Sequence, residues 1–502
     1  METIVGIDFG TTNSEAAVCR NGRPVLVCDA DGERVIPSFV FIDESEKCYV
    51  GRAAKNVALL YPQRTVGSVK RDLGTGRRYR IGDREYEPEE IASCIFAKLK
   101  AMVESHVGSD VRKAVVTVPA YYDDLRRQAI KRSAALADLE VVRLVNEPTA
   151  AALTYGMNSG EESTVLVYDL GGGTFDVSVL RVGGGVFQVL ATRGDACLGG
   201  DDFDAALARL LQERFREETG IDLSRDRLAA QKILQEAERL KIQLSQASSA
   251  LAEVPFIAAN DQGPCHLSAR IQRSEFEELI AGSIEKTLRL TRGTLQDAGL
   301  QPREVDRVLL SGGSTRIPAV SRAVTELFGK EIQGGANPEE VVACGAAIQA
   351  AMLSGQMGDT VLVDVTPLGL GVETADRKMV TLVPRNTVLP TRAAAVFTTV
   401  KDYQRVAQIR VLQGERPLAR DNIVLGSFRL EGLERAATGQ PNIEVSFDID
   451  VEGIVHVSAR DAATGSHREI ELAGVSGLSD EAIGQIVSEA RACELEDIYA
   501  VG

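Results

Sequence analysis

The chain has 502 residues, of which 44% are hydrophobic and 25% charged, and its formal net charge is −16. This composition is typical of a globular protein with roughly two to four domains, and the negative charge argues against a surface that coats nucleic acid. No apolar stretch reaches membrane-spanning length, and the amino terminus lacks the basic segment of an export signal. We therefore expect a cytoplasmic protein with neither nucleic acid nor membrane as a partner.

The cysteines and histidines do not predict a metal site. Eight cysteines are scattered without a Cys-x-x-Cys pair, and only four histidines occur. This distribution favours buried, reduced thiols. Cys265 and His266 are neighbours, but no second pair of ligands follows nearby in the sequence, so zinc is not expected.

The first predicted element with chemical content is a hairpin near the amino terminus. An apolar run ends at Asp8, the turn Gly10–Asn13 follows at once, and a second apolar run begins at Ala16. Glycine lets backbone N–H groups approach a phosphate, threonine adds hydroxyl donors, and an aspartate can hold hydrated Mg²⁺. A single loop of this kind would usually be an ordinary turn.

The middle of the chain alternates predicted strands and helices. Val115–Pro119 is a strand closed by proline, and a helix follows near Asp123. Val141–Val145 is the next strand, and it leads through Asn146–Thr149 into an alanine-rich helix. This alternation indicates α/β architecture with functional residues at the ends of strands.

A second hairpin repeats the first. Its apolar run ends at Asp169, the turn Gly171–Thr174 follows, and the run Val177–Leu180 resumes beyond Asp176. Two copies of this loop, each with its aspartate and threonine, indicate duplicated lobes that close on one nucleotide. Further on, the strand Arg307–Leu310 runs into another glycine turn.

The last α/β element is a predicted helix that opens at Asn337–Glu340. Asparagine as the cap, proline in the first turn and acids near the positive end of the helix stand in the expected order.

Beyond Gly355 the hydrophobic pattern changes to strict alternation, which predicts a separate antiparallel β-domain. A short apolar stretch between acids precedes it, and a capped amphipathic helix beginning near Ser479 follows it. The predicted divisions are an α/β nucleotide-binding domain at 1–358, a linker at 359–364, the β-domain at 365–474 and a helical segment at 478–502.

Long motifs in a fixed order carry a resemblance that runs nearly end to end. The matching segments are Gly6–Asn13, Val116–Tyr121, Asn146–Ala152, Asp169–Asp176, Gly194–Asp204, Gly312–Pro318, Asp364–Leu368 and Val411–Arg416. The chain resembles DnaK-type heat-shock chaperones of the seventy-kilodalton family, within the actin-like ATPase superfamily. The resemblance implies a two-lobed, ribonuclease H-like α/β ATPase domain, an antiparallel β-sandwich that binds peptide, and the start of a helical lid.

The resemblance also implies a nucleotide site residue by residue. Lys70 matches the lysine that reaches the γ-phosphate, Glu147 and Asp176 match carboxylates that place the attacking water, and Thr174 belongs to the same catalytic set. Asp8 and Asp169 match positions that hold Mg²⁺ largely through water. The residues implied for the phosphates and adenosine are Gly10, Thr11, Thr12, Asn13, Gly171, Gly172, Gly173, Gly199, Gly200, Glu238, Lys241, Ser245, Gly312, Gly313, Ser314, Arg316 and Glu339.

Two features of the adenosine side depart from relatives. Ile242 replaces an arginine, so apolar stacking over the adenine is expected, and Glu339 stands where relatives often have aspartate. Charged residues at helical spacing, such as Glu238 and Lys241, are by themselves more often a solvated face.

The implied peptide site lies in the β-domain. Its matching residues are Val372, Thr374, Ala375, Phe397, Val400, Ala407 and Ile409, with Ala375 and Val400 forming an arch over the peptide. Ala407 replaces a valine, and we hypothesise that the smaller side chain enlarges the central pocket for bulkier anchors. Neutral variation in a small β-core explains the same difference, and both interpretations stay open.

The resemblance further implies coupling between the two functions and a set of partners. The residues that match coupling positions are Pro119, Arg127, Lys131, Arg143, Leu362 and Asp364. ATP or ADP, Mg²⁺ and K⁺ are the implied cofactors. The implied partners are unfolded hydrophobic polypeptides and a J-domain co-chaperone, with the nucleotide-exchange factor left open, and a stress response is the implied setting.

Two larger departures concern length. The chain between Lys70 and the helix starting near Pro88 is shorter than in standard relatives and is similar to compact DnaK-like variants. The chain ends at Gly502, early in the region where the family builds its lid, so a truncated or absent lid is expected. Peptide exchange should then be fast and affinity modest, because lid closure mainly slows dissociation.

Three other function classes are open to comparison. An actin-like sugar kinase would share the phosphate loops but would not require a β-domain after Val365. A filament-forming actin relative is the structural alternative, and it would polymerise with ATP. A simple peptide-binding module would not need the charged set around Lys70, so the sequence favours the chaperone.

Overall fold

The computed structural model describes residues 3–156, 162–261, 263–330, 332, 337–357, 360–471 and 498–500. The chain forms two compact units. The first unit comprises Met1–Arg71, Arg78–Ala120 and Ala134–Val361, and the second comprises Asp72–Arg77, Tyr121–Ser133 and Leu362–Gly502. This division gives the second unit two short segments that lie within the predicted ATPase domain 1–358.

The helices all precede the β-rich part of the described chain. They are α1 (Arg52–Val57), α2 (Pro88–Val107), α3 (Asp124–Leu136), α4 (Glu147–Gly156), α5 (Gly200–Thr219), α6 (Arg227–Gln246), α7 (Arg273–Asp297), α8 (Pro318–Phe328) and α9 (Val341–Leu353).

The strands up to the start of the second unit are β1 (Ile4–Phe9), β2 (Asn13–Arg20), β3 (Arg23–Leu26), β4 (Ile36–Pro37), β5 (Phe39–Ile42), β6 (Cys48–Val50), β7 (Thr65–Gly67), β8 (Tyr79–Ile81), β9 (Arg84–Tyr86), β10 (Lys113–Val118), β11 (Glu140–Asn146), β12 (Ser163–Leu170), β13 (Phe175–Gly183), β14 (Val186–Asp195), β15 (Ser249–Asn260), β16 (Gly263–Gln272), β17 (Arg307–Ser311) and β18 (Val361–Val363). The later strands are β19 (Leu370–Glu373), β20 (Met379–Val383), β21 (Thr391–Thr399), β22 (Val406–Gln413), β23 (Ile423–Glu431), β24 (Ile443–Ile449), β25 (Val455–Asp461), β26 (His467–Glu471) and β27 (Ile498–Ala500).

Two sheets of the first unit share one local topology, as the repeated hairpins predict. In one sheet, β1 pairs antiparallel with β2 and parallel with β10. In the other, β12 pairs antiparallel with β13 and parallel with β17. Asp8 and Asp169 therefore occupy equivalent places, at the carboxyl end of a central strand and just before a hairpin turn.

Helices cover these sheets with small or apolar side chains. α9 is buried along nearly its whole length, and its Ala343 and Ala347 pack against Ala17 of β2. The sheet that contains β12 packs against α5, α6 and α7, whose apolar positions recur at helical spacing. Both central hairpins thus rest on rigid layers, which fixes the positions of their turns.

The second unit contains two antiparallel sheets. Their strand orders are β20-β19-β22-β23 and β26-β25-β24-β21-β27. Inward-facing residues of both sheets, such as Ile409, Val445 and Val457, form one core and are fully buried. The predicted alternation therefore corresponds to the strands of a β-sandwich, in which the turn at Asp450–Gly453 connects β24 and β25.

Two expectations differ from the structure. The helix predicted to open at Asn337 begins instead at Val341, because Asn337–Glu340 form a turn and the Asn337 side chain accepts a hydrogen bond from Arg316 at 2.5 Å. The thiols are not uniformly buried, since Cys48 and Cys197 are exposed.

Among the described residues, no helix is both long and apolar enough to cross a membrane. The predicted helix near Ser479 lies outside the described residues.

Candidate functional site

A cavity of about 570 Å³ lies in the first unit where the two hairpin turns meet. Both turns, α6 and the glycine turn after β17 form its walls. The predicted residues that line it are Asp8, Gly10, Thr11, Thr12, Asn13, Lys70, Glu147, Asp169, Gly171, Gly172, Thr174, Glu238, Lys241, Ser245, Gly312, Gly313, Ser314, Arg316 and Glu339. The structure thus brings together residues that are up to 331 positions apart in the sequence, from Asp8 to Glu339.

The two hairpin turns face each other at very short range. A Cβ atom built on Gly173 would lie 2.5 Å from both Oγ1 and Cγ2 of Thr11, and one on Gly172 would lie 1.7 Å from Oγ1 of Thr12. Real Cβ atoms do not approach other atoms so closely, so both positions require glycine for steric reasons. The threonine hydroxyls and glycine N–H groups are consequently concentrated in one small volume, as a phosphate chain requires.

The floor of the cavity is a buried ion pair. Lys70 lies in the short 3₁₀ helix Val69–Asp72, and Glu147 is the first residue of α4, directly after β11. Lys70 Nζ donates a hydrogen bond of 2.6 Å to Glu147 Oε1, and the lysine side chain is only 2% exposed. A charge buried to this extent is costly unless it is paired, so each side chain holds the other in place.

Acidic side chains outnumber the lysine at this floor. Burial, followed by repulsion from Glu147, raises the pKa of Asp8 to about 7, while Lys70 and a hydrogen bond from Thr117 act against the shift. Burial, then repulsion from Glu147 and Asp176, raises the pKa of Asp169 well above its usual value. The cluster therefore contains more carboxyl groups than the single positive charge of Lys70 can neutralise.

Such a cluster fits a divalent cation. A cation between Asp8 and Asp169 would remove their repulsion from neighbouring acids, and oxygen ligands suit Mg²⁺. Within the described ranges, no three His, Cys, Asp or Glu side chains are arranged to ligate a metal directly. This arrangement is compatible with a magnesium ion that keeps several waters.

Four predicted site residues lie behind the cavity wall. Asp176 is 1% exposed, and its Cα pairs with that of Asp169 across the hairpin. Gly173 contacts Thr11, as described above. Gly199 and Gly200 pack against the second turn, and the Gly200 N–H donates to the Gly171 carbonyl oxygen at 3.0 Å.

The α6 wall carries the predicted adenosine residues, each already held by a partner. Lys241 Nζ donates to Asp204 Oδ2 at 2.6 Å, and burial above all raises the pKa of Asp204 to about 6. The carboxylate of Glu238 accepts two hydrogen bonds of 2.8 Å from Lys55 of α1. The Ser245 hydroxyl donates to the Lys241 carbonyl oxygen at 2.9 Å.

The opposite wall is the turn after β17. Gly312 has a φ of 83°, and a Cβ atom there would lie 2.4 Å from the Leu170 carbonyl oxygen, so the turn needs glycine. Arg316 forms an ion pair of 3.3 Å with Glu339. Across from them, Ile242 of α6 lines the cavity and is 55% exposed, which provides an apolar surface.

Sequence reasoning missed several residues that shape the site. Glu15 lines the cavity with 2% of its surface exposed, and burial, followed by repulsion from Asp8, raises its pKa to about 9. Asp201 accepts hydrogen bonds from Ser68 at 2.8 Å and Thr12 at 3.4 Å, and its N–H donates to the Gly172 carbonyl oxygen at 2.8 Å. It therefore ties both turns to the Lys70 segment. The pairing of Glu15 with Asp8 across β1 and β2 could have indicated the first, while the second depends on tertiary contacts.

The predicted peptide residues are mostly core residues of the second unit. Val372, Phe397, Ala407 and Ile409 are fully buried, and Thr374 is 5% exposed. Ala375 and Val400 are half-buried.

Two predicted coupling residues of α3 meet one glutamate of the second unit. Arg127 donates to the Glu452 carbonyl oxygen at 3.2 Å, and Lys131 Nζ donates to Glu452 Oε2 at 2.7 Å. These contacts explain why Tyr121–Ser133 belongs to that unit. Pro119 is buried, and Arg143, Leu362 and Asp364 are half-buried.

Comparison with known protein families gives one match. A family model described as "Hsp70 protein" matches residues 4–81 and 75–500. The matched range includes both hairpin turns, the Lys70 segment, α6 and the β-sheets of the second unit.

Proposed function

The chain belongs to the Hsp70 family, and from this we propose that it is a DnaK-type chaperone whose first unit hydrolyses ATP to control peptide binding by the second. Family membership makes the protein an ATPase and, in general terms, an ATP-dependent chaperone that uses Mg²⁺ and binds unfolded polypeptides. The residue roles, the peptide site, K⁺ and a J-domain partner are the proposal. A compact variant of the family, a cytoplasmic location and a stress response also belong to it.

The buried Lys70–Glu147 pair at the floor of the cavity carries the proposed mechanism. The two turns bind the phosphates through backbone N–H groups and the hydroxyls of Thr11, Thr12 and Thr174. Asp8 and Asp169 would hold Mg²⁺ largely through water, and the ion would neutralise phosphate charge. The γ-phosphate offers Lys70 a second anionic partner at its ammonium group.

When Lys70 also contacts the γ-phosphate, its ion pair with Glu147 weakens, and Glu147 becomes available for proton transfer. Its Oε1 atom, 2.6 Å from Lys70 Nζ, becomes able to accept a proton from the attacking water. Asp176, buried behind Asp169, adds negative charge that orients that water. Positioning and charge stabilisation are sufficient for phosphoryl transfer, so a covalent intermediate is not required.

The second unit is proposed to bind extended peptide at the β21 edge. The short strand β27 of the same chain pairs antiparallel with β21, with Ala500 opposite Phe397 and Ile498 opposite Thr399. This pairing supports the proposal, because it places an extended segment on β21 by main-chain hydrogen bonds. The predicted pocket residues Val372, Ala407 and Ile409 lie in the core that also contains Phe397.

Coupling is proposed to involve α3 and the segment around Asp364. Arg127 and Lys131 bind Glu452 in the β24–β25 turn, and the Asp364 carbonyl oxygen accepts a hydrogen bond from Leu389 at 2.9 Å. Pro119, Arg143 and Leu362 complete the proposed set, and Arg143 and Asp364 are the residues proposed to engage a J-domain partner. A sugar kinase is not favoured, since the family match extends through the β-sheets.

The decisive experiment measures ATPase rate with and without an unfolded hydrophobic peptide. We expect the peptide to raise the rate severalfold, because it shifts the population between coupled states. A matched peptide with serine at its hydrophobic positions should have no effect. Equal rates with both peptides would refute coupling, although the ATPase itself would stand.

A further inference from the structure

Two cysteines that play no part in the nucleotide site lie side by side in the first unit. Cys48 begins β6 and Cys94 lies in α2, 46 positions later, yet their Sγ atoms are 2.6 Å apart. A disulfide needs a sulfur–sulfur distance of about 2.05 Å, so these two atoms need to approach by only about half an ångström.

The two thiols differ in exposure and environment. Cys48 is exposed and Cys94 is half-buried. The hydrogen bond from Cys94, above all, lowers the pKa of Cys48, and the nearby Arg84 guanidinium acts in the same direction. Arg84 is itself fixed between Glu46 at 2.9 Å and Glu90 at 2.7 Å, so its charge stays beside the pair. An accessible thiol of lowered pKa beside a second thiol is the arrangement of a redox-active dithiol.

The two cysteines lie in α2, which packs on the central sheet, and in β6, which precedes α1. α2 packs on the central sheet, with the Phe96 ring 4.9 Å from that of Phe9. β6 leads through Gly51 directly into α1, whose Lys55 bonds both carboxylate oxygens of Glu238 at 2.8 Å. Glu238 lines the cavity, so this ion pair ties α1 to the cavity wall.

We propose that Cys48 and Cys94 form a reversible disulfide under peroxide, and that the disulfide slows nucleotide exchange. Release of a bound nucleotide requires Lys55 and Glu238 to separate. A covalent link from β6 to α2 restrains the β6–α1 segment that carries Lys55, and so it restrains this separation.

The oxidation balances with hydrogen peroxide as the oxidant. The Cys48 thiolate attacks one peroxide oxygen and the O–O bond breaks, which gives a sulfenic acid on Cys48. The departing hydroxide takes up the proton that the Cys48 thiol released on ionisation and leaves as water. The Cys94 sulfur then attacks the Cys48 sulfur, the S–O bond breaks, and the hydroxyl leaves as a second water with the Cys94 proton. Two electrons pass from the two sulfurs to the peroxide, and a dithiol reductant reverses the process.

The test uses the full chain, with and without hydrogen peroxide that is removed before measurement. Peptide mass spectrometry should find the Cys48 and Cys94 peptides joined, and a thiol reductant should separate them. Release of a fluorescent ADP analogue should slow by at least about fivefold after oxidation, which is the lower end of typical coupling between sites, and should recover on reduction.

Matched variants make the result specific. Cys94→Ser and Cys48→Ser should each abolish the link and the slowed release. Cys197→Ser, which removes the other exposed thiol among the described residues, should change neither response. Failure to detect the Cys48–Cys94 link would overturn the proposal, and this readout does not depend on the proposed chaperone function. A quantitative link with unchanged ADP release would overturn the effect on exchange.

Discussion

The floor of the nucleotide cavity in the first unit is formed by charged side chains, whereas the proposed peptide site of the second unit is formed mainly by apolar ones. The cavity floor buries Lys70 among the carboxylates of Asp8, Glu147 and Asp169. The proposed peptide residues are mostly apolar and buried in a β-core, as Phe397 and Ile409 illustrate. Buried charge is expensive and therefore indicates function, whereas buried apolar side chains are the ordinary content of any core.

The comparison teaches which kind of site can be recognised in a sequence. An aspartate that ends an apolar strand before a Gly-Thr turn is unusual, and its repetition is more so. Alternating apolar residues in a strand are common, so a binding position among them has no signature of its own. Four substitutions test this contrast, in order of decreasing expected effect.

Removing the lysine at the cavity floor should have the largest effect. Lys70→Ala should leave ATP binding largely intact and lower turnover by a factor on the order of 10²–10³, as for other groups that stabilise a transition state. Isothermal titration measures binding, and phosphate release measures turnover. Lys98→Ala, which removes a lysine of α2 that lies 3.9 Å from Asp29, is the control and should retain activity. Normal turnover in the Lys70 variant would contradict the assigned role.

Separating the two turns should have the next largest effect. Gly173→Ala would place Cβ 2.5 Å from Thr11, so the turns must move apart, and we expect ATP affinity to fall by about tenfold or more, the effect of losing roughly 1.4 kcal/mol. Gly282→Ala is the matched control. It lies in α7 with open space at its Cβ position, and alanine there should stabilise the helix by about 1 kcal/mol. Unchanged nucleotide affinity in Gly173→Ala would show that the turns do not need this contact.

A buried acid in the second unit offers a pH test. Asp124 accepts a hydrogen bond from Val455 at 3.2 Å, its Oδ2 atom is buried without a hydrogen-bond partner, and burial above all raises its pKa to about 7 from 3.8. Between pH 3.8 and about pH 7 the folded state therefore keeps a proton on the Asp124 carboxyl group, while the unfolded chain releases it. The stabilisation is complete below pH 3.8 and is lost as pH rises through 7.

Asp124→Asn should remove that dependence. Hydrogen exchange of β24 and β25 should show stability falling from pH 5 to pH 7 in the wild type by at most about 1.4 kcal/mol per pH unit, and a flatter profile in the variant. Parallel profiles for the two proteins would mean that Asp124 stays ionised in the fold.

The apolar site should respond least, because only two methyl groups change. Ala407→Val adds volume to the core beside Phe397, and we expect preference to shift from bulky to smaller peptide anchors by about 1 kcal/mol, the lower end of the range for a methylene in a hydrophobic pocket. Peptide arrays compare the two proteins, and unfolding by urea controls for lost stability. Identical side-chain preferences would exclude a role for Ala407 in pocket size.

Specific residues show where sequence reasoning succeeded and where it failed. The two hairpins, their strand-ending aspartates and the α6 position of Lys241 were predicted, because periodicity and turn chemistry are local. The helix start at Asn337 was wrong, since the Asn337 side chain accepts hydrogen bonds from Arg316 and from the Glu339 N–H within a turn, and the helix begins only at Val341. The exposure of Cys48 was also not predicted, because cysteine spacing says nothing about the packing of β6 against α2.

By itself, the amino-acid sequence determined the duplicated turns, the α/β and β-rich parts, and the resemblance that identified the family, since these depend on short-range patterns in a fixed order. Only the tertiary structure decided that Lys70 pairs with Glu147, that Asp201 joins both turns, that Gly173 must lack a side chain, and that Cys48 lies against Cys94. Each of these depends on close approach between residues far apart in the chain, and such approach is fixed by how sheets and helices pack, not by neighbours in sequence.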